Sequence, residues 1–308
     1  MKRKTDPFLN ADPAYHDPET AAAVILPVPY EGGVSWGKGA AQGPESVIEA
    51  SRELETYDET LGFETCRMGI ATLPPPGDLS SAAAMIDSVA ESMSPHLKAG
   101  RFPVLLGGDH SVSIGFFKAL SEAYGRLSVI QLDAHADLRD AYMESPLSHA
   151  CVMARIREQT EDTLQIGIRS MSLEEAQKIA GEGLEVCTMD RYRASTFDLA
   201  EAVERLPDPV FLTLDVDVLD WSVVRSTGTP EPGGFSWTEA LELLRAIFFK
   251  RNIAAFDVVE LAHDPADRNS AFAAAKLIYK MLGFKLASRV SKGLITWPDR
   301  PQGSILNP

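Results

Sequence analysis

The stretch QLDAHADLRD, residues 131–140, places two carboxylates and an imidazole at every second position. Asp133, His135 and Asp137 follow the apolar run LSVIQL, which predicts a β-strand. Because alternate side chains of an extended strand point the same way, we expect these three groups to face one spot. Two carboxylates that close together repel each other unless a cation lies between them. The spacing therefore favours a bound cation.

Groups of the same kind follow three other apolar runs. GGDHS, after FPVLL, contains Asp109 and His110; DVDVLD, after PVFLTL, contains Asp215 and Asp217. Glu260 follows the run IAAFDVV. In open parallel sheets, ligands bind beyond the carboxyl ends of the strands. We therefore expect the four strand ends to form one site.

The candidate metal ligands comprise four carboxylates, two imidazoles and no thiolate: His110, Asp133, His135, Asp137, Asp215 and Asp217. Such a set suits Mn²⁺ better than the thiolate-seeking Zn²⁺, and two histidines argue against Mg²⁺. Six ligands with four negative charges would balance two divalent cations that share carboxylates and a bridging hydroxide. Taken singly, each motif is also compatible with a polar strand end, an acidic loop or a tight turn. The combination predicts a dinuclear metal site.

Short apolar runs that alternate with longer amphipathic segments provide the frame for these groups. Runs that are apolar throughout predict strands buried on both faces of a parallel sheet, at 22–28, 102–108, 127–133, 163–168, 184–189, 209–217 and 253–261. The alternation predicts an α/β fold with a mainly parallel sheet and helices on both faces. We expect one domain over residues 1–308, with a polar, proline-rich arm at 1–20.

Helix boundaries can be proposed from capping signals. A helix is predicted to begin at Pro44 and to continue to about residue 62. SLEE at 172–175 and SWTE at 236–239 have the pattern of capping boxes. The last helical segment is predicted to end at Gly283, which would serve as its C-cap.

Composition narrows the class of protein. The net charge of −15 argues against binding to nucleic acid or an anionic membrane and is compatible with a small cationic substrate. No run approaches the roughly 18 apolar residues of a membrane span, and no apolar segment follows the positively charged N-terminus as in a signal peptide. The three cysteines form no CxxC motif, which fits a reducing compartment. We expect a cytoplasmic protein.

The motifs, in this order and spacing, resemble those of the ureohydrolases, the family of arginases, agmatinases and formiminoglutamases. The resemblance covers roughly residues 22–285, is greatest to agmatinases, and rests on GGDHS (107–111), DAHAD (133–137), SHAC (148–151), LDVDVLD leading into GTPEPGG (228–234), and VVE (258–260). It implies a three-layer α/β/α fold with about eight strands, two Mn²⁺ per subunit and a homo-oligomer, either a trimer or a hexamer. By motif, one ion would be held by His110, Asp133, Asp137 and Asp215, and the other by Asp133, His135, Asp215 and Asp217.

The resemblance also implies a reaction, in which a metal-bridging hydroxide attacks a guanidinium carbon and releases urea and an amine. Glu260 would hold the planar cation through charge-assisted hydrogen bonds. His149 would carry the proton that the departing amine needs. Two simpler interpretations stay open, since Glu260 could be an ordinary strand-end carboxylate and His149 could begin a helix capped by Ser148.

The choice of substrate is less determined than the chemistry. Agmatine, which would give putrescine for polyamine biosynthesis, is expected because YMESPLSHA resembles agmatinases rather than arginases. Aminopropylagmatine, guanidinobutyrate, guanidinopropionate, arginine and formiminoglutamate are the alternatives. A non-catalytic metal-binding homologue and a dinuclear phosphoesterase are alternatives from other classes. The first would be expected to lack metal ligands, and Glu260 beside the metals would repel the phosphate of the second.

The loop after the second aspartate pair departs from the family pattern. Thr213 stands where the family generally has Ser, Trp221 where it usually has Pro, and Arg225-Ser226 where it has Pro-Gly or Pro-Ala. The indole could narrow the pocket, and Arg225 could repel an amine tail or attract a carboxylate. Alternatively, both side chains could face a neighbouring subunit.

Overall fold

The structure, a computed structural model, describes residues 6–33 and 35–296. Its strands are β1 Ala23–Val28, β2 Tyr57–Asp58, β3 Phe63–Glu64, β4 Ile70–Thr72, β5 Phe102–Gly107, β6 Ser128–Leu132, β7 Thr163–Ile168, β8 Glu185–Thr188, β9 Val210–Asp215 and β10 Ile253–Val259. Eight of them form a sheet in the order β4-β1-β5-β10-β9-β6-β7-β8, in which all the described pairings are parallel. β2 and β3 form a separate antiparallel ribbon. The predicted fold class is confirmed.

Helices cover both faces of this sheet, which gives three layers. They are α1 Gly43–Ser51, α2 Ala82–Lys98, α3 Val112–Tyr124, α4 Val152–Arg157, α5 Leu173–Glu182, α6 Met189–Arg193, α7 Leu199–Arg205, α8 Trp237–Lys250 and α9 Asn269–Ser291. Alternate residues of β1 enter two different cores, because successive side chains of a strand point to opposite faces. Val24 and Leu26 pack in the core with α2, α3 and α4, and Ile25 packs in the core with α1, α8 and α9.

The predicted helix starts at residues 172 and 236 are confirmed, because Ser172 with Glu175 and Ser236 with Glu239 form complete capping boxes. Within the two described ranges, no helix is both long enough and apolar enough to cross a membrane. In the predicted arm, residues 1–5 lie outside the described ranges. Further along it, Phe8 and Leu9 are fully buried in the core.

Two helix ends differ from the prediction. α9 continues through Gly283 to Ser291, so Gly283 is not a C-cap. A Cβ at this position would lie 2.7 Å from Leu61 Cδ1 and 3.0 Å from Thr65 Oγ1, so the glycine allows α9 to approach the segment around β3 closely. α1 ends at Ser51 instead of continuing to residue 62, because β2 and β3 occupy the chain beyond it.

Candidate active site

Four neighbouring strands at the centre of the sheet place the predicted groups at one edge. The order β5-β10-β9-β6 is continuous, and the four strands are parallel, so their carboxyl ends lie side by side. His110 lies beyond β5, Glu260 follows β10, Asp215 ends β9 and Asp133 follows β6. The structure therefore brings together the side chains that the sequence predicted to converge.

One group of possible ligands surrounds the His110 imidazole. Its Nδ1 lies 3.0 Å from Asp137 Oδ2, 3.1 Å from Asp133 Oδ2 and 3.6 Å from Asp215 Oδ2. This nitrogen is buried and makes no hydrogen bond. A buried polar atom without a partner is unfavourable, and a cation between the imidazole and the carboxylates would provide one.

The far side of the same ring fixes its tautomer. His110 Nε2 lies 2.9 Å from Thr213 Oγ1, and the Thr213 hydroxyl hydrogen-bonds the buried Asp257 carboxylate, which also accepts a hydrogen bond from Ser113 Oγ at 2.6 Å. Since Thr213 has one hydroxyl proton and donates it to Asp257, it accepts from His110. Nε2 therefore carries a proton, which leaves Nδ1 as the ring nitrogen that can bind a cation.

A second group surrounds His135. Its Nδ1 lies 2.9 Å from Asp217 Oδ2 and 3.7 Å from Asp133 Oδ1. Asp217 Oδ2 is buried without a hydrogen bond, whereas Asp217 Oδ1 accepts one from the Ala134 N–H at 3.0 Å. Asp133 thus belongs to both groups and turns a different oxygen toward each. His110, Asp133 and Asp137, and likewise Asp133, His135 and Asp217, offer ligand atoms within 4.8 Å of one another.

The local conformation of DAHAD differs from the prediction. β6 ends at Leu132, so Asp133, His135 and Asp137 lie in a loop and not in a row along a strand. Asp137 adopts a left-handed conformation with φ of 53°, which non-glycine residues rarely adopt. As a result Asp137 faces His110, whereas His135 faces Asp217 on the other side of Asp133.

The charges of the site favour the binding of a cation. Burial, and then the charge of Asp217, raises the pKa of Asp215 well above its usual range. Burial and the charge of Asp133 raise the pKa of Asp137 to about 7. Burial alone would lower the pKa of His135, but Asp217 and Asp133 raise it to about 12. All three groups would hold protons because the site gathers negative charge, which a divalent cation would neutralise. The oxygen-rich set with two imidazoles fits Mn²⁺.

Glu260 occupies a constrained position at the end of β10. Its φ is 66°, its N–H donates to the Gly108 carbonyl at 2.8 Å, and its Oε1 accepts a hydrogen bond from the His110 N–H at 2.7 Å. Gly108 is required there, because a Cβ would lie 1.9 Å from the Tyr30 carbonyl oxygen. Burial, and then the charge of Asp109, raises the pKa of Glu260 well above its usual range. A cationic ligand would favour its ionised form.

His149 begins a short 3-10 turn, His149–Cys151, that leads into α4. Ser148 does not cap this turn through its side chain; its Oγ lies 3.3 Å from His149 Nδ1. The other ring nitrogen, Nε2, lies 2.9 Å from Ser35 Oγ, and the Tyr142 ring packs edge-on with centroids 5.6 Å apart. Burial lowers the pKa of His149, so the ring is mostly neutral near neutral pH.

A cavity of about 260 Å³ connects these groups, with His110, His135, Asp137, Asp215, His149 and Glu260 in its lining. Sequence reasoning missed Arg139, Tyr142, Met171 and Glu175, which also line it. Tyr142 comes from the loop YMESPLSHA, whose conformation no strand or helix pattern predicts. Glu175 was recognised only as part of a capping box; its Oε1 also accepts a hydrogen bond from the Leu138 N–H at 2.9 Å.

The loop that departs from the family pattern lies away from this lining. Trp221 is 55% exposed, and neither it nor Arg225 lines the cavity. Arg225 Nε lies 3.3 Å from Asp267 Oδ2, and Ser226 Oγ donates to the same oxygen at 2.7 Å. Arg225 and Ser226 therefore form a local network with Asp267, and neither Trp221 nor Arg225 narrows the cavity.

Comparison with known proteins gives one consistent result. A sequence profile of the arginase family matches residues 21–283. The N(1)-aminopropylagmatine ureohydrolase of Synechocystis sp. is 37% identical over 86% of this chain and 89% of that protein. The agmatinase of Pyrococcus horikoshii is 32% identical over 87% of this chain and 93% of that protein. The crystal structure of the agmatine ureohydrolase of Thermoplasma volcanium superposes with a TM-score of 0.83 and 26% identity, covering 94% of this chain and 97% of that one.

Proposed function

The chain belongs to the arginase family of enzymes that hydrolyse guanidino compounds, and we propose that its substrate is a guanidine with an amine tail, agmatine or N(1)-aminopropylagmatine. The products would be urea and the corresponding polyamine. The observation that supports this most directly is that two groups of possible ligands, which share Asp133, both contribute side chains to the cavity lined by Glu260 and His149.

We propose Mn²⁺ as the metal, with two ions in each subunit. The proposed ligands are His110, Asp133, Asp137 and Asp215 for one ion, and Asp133, His135, Asp215 and Asp217 for the other. When bound, such a pair of cations makes hydroxide available from water near neutral pH. The chain itself contributes the fixed carboxylates, the tautomer of His110 and the exclusion of bulk water by burial.

Glu260 is proposed to bind the guanidinium group. Its Oε1 is already engaged by the His110 N–H, so Oε2 remains for the substrate. An ionised carboxylate attracts the guanidinium and orients it through a charge-assisted hydrogen bond. The left-handed backbone of Glu260 and its hydrogen bond to Gly108 hold this carboxylate in the lining of the cavity.

His149 is proposed to hand a proton to the departing amine. An amine is a poor leaving group until its nitrogen is protonated, and a positioned imidazole contributes about 10² to 10⁴-fold to such a step. Ser35 and Tyr142 limit the rotation of the ring. Its lowered pKa keeps it neutral between turnovers, so that it can accept a proton from water and pass it on.

The two candidate substrates rest on different observations. The loop YMESPLSHA favours agmatine by its resemblance to agmatinases. The identities favour N(1)-aminopropylagmatine, because the aminopropylagmatine ureohydrolases match at 36–37% and the agmatinases at 32–34%. Since Trp221 and Arg225 lie outside the cavity lining, neither gives a reason to prefer a substrate with a carboxylate tail.

Urea release by the Mn²⁺-loaded protein would test the proposal, with agmatine, N(1)-aminopropylagmatine, arginine, guanidinobutyrate and guanidinopropionate compared at equal concentration. We expect one of the first two to have the highest kcat/KM, and the chelated protein to be inactive. A preference for arginine or for a guanidino acid would contradict the amine-tail proposal. Absence of turnover on the whole panel, with two Mn²⁺ bound, would contradict the proposed activity itself.

The cellular compartment, the metabolic role and the oligomeric state of the enzyme are also proposals. Free cysteines at positions 66, 151 and 187, all buried, fit a cytoplasmic protein, and either product would belong to polyamine biosynthesis. Family resemblance implies a trimer or a hexamer, which light scattering coupled to gel filtration would measure.

A further inference from the structure

Two buried glutamines stand behind the DAHAD loop. Gln131 lies on β6, two residues before Asp133, and Gln165 lies directly opposite on β7. Their exposed fractions are 0% and 2%. Burying two primary amides is unfavourable unless their polar atoms are hydrogen-bonded. The chemistry proposed above does not use either residue, so their partners indicate what they do.

The hydrogen bonds of this pair form a chain in which Gln165 donates to Gln131 and Gln131 donates to Asp133. Gln165 Nε2 donates to the Ala136 carbonyl at 2.7 Å and also to Gln131 Oε1. A backbone carbonyl can only accept, so Gln165 must present its nitrogen to it, and the atom of Gln131 that meets this nitrogen must be oxygen. The Gln131 nitrogen is thereby turned toward Asp133, where it donates to Oδ2 at 2.7 Å. The fixed carbonyl thus determines the orientation of both amides.

This arrangement acts on the carboxylate that both ligand groups share. Asp133 Oδ2, which accepts from Gln131, is the oxygen 3.1 Å from His110 Nδ1. Asp133 Oδ1 accepts from the His135 N–H at 2.6 Å and faces the His135 ring. Each oxygen therefore has one fixed donor and is directed toward a different ligand group. Rotation of the carboxylate would break both hydrogen bonds.

Gln131 and Gln165 also contact the backbone of the loop that contains His135 and Asp137. Gln131 Nε2 lies 3.4 Å from the His135 carbonyl oxygen, and Gln165 binds the carbonyl of Ala136, the next residue. These contacts come from the paired strands β6 and β7, and they reach the loop between His135 and Asp137. Loop residues gain a fixed position when a rigid element binds their backbone.

We propose that Gln131 and Gln165 are positioning residues of the metal centre, which hold the Asp133 carboxylate in the orientation that lets it bridge two cations. The inference rests on the proposed dinuclear site. It assigns Gln131 the direct contact with Asp133 and assigns Gln165 the task of fixing the orientation of the Gln131 amide.

Mn²⁺ binding by the full-length protein tests this assignment. Gln131→Met removes the amide donor at similar side-chain volume, and Gln165 keeps the Ala136 carbonyl as its partner. Ser128→Ala is the matched control, because Ser128 is also buried on β6 and its Oγ donates one hydrogen bond, to the Pro207 carbonyl at 2.7 Å, at the other end of the strand. Stepwise Mn²⁺ affinities would be measured by calorimetric titration of the chelated protein, and exchange coupling between the two ions by electron paramagnetic resonance.

We expect Gln131→Met to weaken at least one Mn²⁺ binding step by about 10 to 100-fold and to reduce the exchange-coupled signal, with Ser128→Ala unchanged in both. Gln165→Met should weaken binding less, because Gln131 can still reach Asp133 although its amide is no longer held in one orientation. If Gln131→Met does not fold, Gln131→Asn provides the test, since it keeps an amide but is one methylene too short. Wild-type affinities and coupling in a folded Gln131 variant would overturn the inference. Failure of the wild-type protein to bind two Mn²⁺ would instead refute the dinuclear site.

Discussion

Replacement of Glu260 by glutamine gives a sharp test of the proposed substrate contact. The His110 N–H donates to Oε1 at 2.7 Å, so this position needs an acceptor in the variant as well. Glutamine has only one acceptor oxygen. It will therefore turn that oxygen toward His110 and place its NH₂ group where Oε2 faces the cavity.

The expected fall in kcat/KM follows from this orientation of the glutamine amide. The guanidinium group of the substrate has only N–H donors, so in the variant a donor would face a donor. Loss of a hydrogen bond to a charged group is worth about 1.5 to 3 kcal/mol, and about 1.4 kcal/mol corresponds to a factor of ten in rate. With the added repulsion between facing donors, we expect kcat/KM to fall by about 10² to 10³-fold.

The assay is urea release with the better of the two candidate substrates, accompanied by elemental analysis of bound metal. Glu174→Gln is the matched control, because Glu174 is an exposed glutamate in the first turn of α5 and loses the same charge. It should keep the wild-type kcat/KM. Both variants should retain two Mn²⁺, since the proposed ligands exclude Glu260.

Two results would refute this reasoning. A Glu260→Gln variant within about threefold of wild-type kcat/KM would show that the carboxylate does not contribute binding energy of the size expected for a charged group. A fall in activity that only parallels a loss of bound metal would show that Glu260 acts on the metal centre and not on the substrate.

Three further predictions concern catalysis, pH and packing. His149→Asn should keep both Mn²⁺ but lose about 10² to 10⁴-fold in kcat; full urea release by this variant would remove His149 from the mechanism. Burial and Asp133 raise the pKa of Asp137 to about 7. Between about pH 4 and pH 7, Asp137 therefore holds a proton in the metal-free folded chain that it has lost in the unfolded chain. The melting temperature of the metal-free protein should fall as pH rises over that interval. Scanning calorimetry would check this, with a smaller fall in Asp137→Asn; a rise over that interval in the metal-free wild type would contradict it. Gly283→Ala should lower the free energy of unfolding by about 1 kcal/mol in urea denaturation, because overpacking of about 1 to 3 kcal/mol outweighs a helix-propensity gain of about 1 kcal/mol; a more stable variant would show that α9 can shift.

The sequence was sufficient for those features that depend on neighbouring residues. Runs that are apolar throughout predicted seven of the eight strands of the main sheet. Capping boxes predicted the starts of α5 and α8. β4 was missed because three residues, Ile70–Thr72, are too few to show a pattern. The carboxylate and imidazole residues that follow the strands predicted which side chains would meet, because the carboxyl ends of parallel strands lie at one edge of the sheet.

Contacts between distant segments decided the rest. The order β5-β10-β9-β6 brought His110, which lies beyond β5, beside Asp133, which follows β6, and no local pattern specifies which strand lies beside which. The left-handed Asp137 turned the loop, so that its ligands face two sides and not one.

What the sequence determined by itself was the chemistry available to this protein, because side-chain type and spacing along a strand are local properties. What only the tertiary structure decided was how the ligands are divided between two groups and which contacts fix their orientation. Asp133 serves both ligand groups because Gln131 reaches it from β6 and Gln165 fixes that amide from β7. Gly283 serves inside α9, and not at its end, because a Cβ there would lie 2.7 Å from Leu61, a residue far away in the chain. Both facts depend on which surfaces meet when the chain folds, and the spacing of residues along the chain does not contain that information.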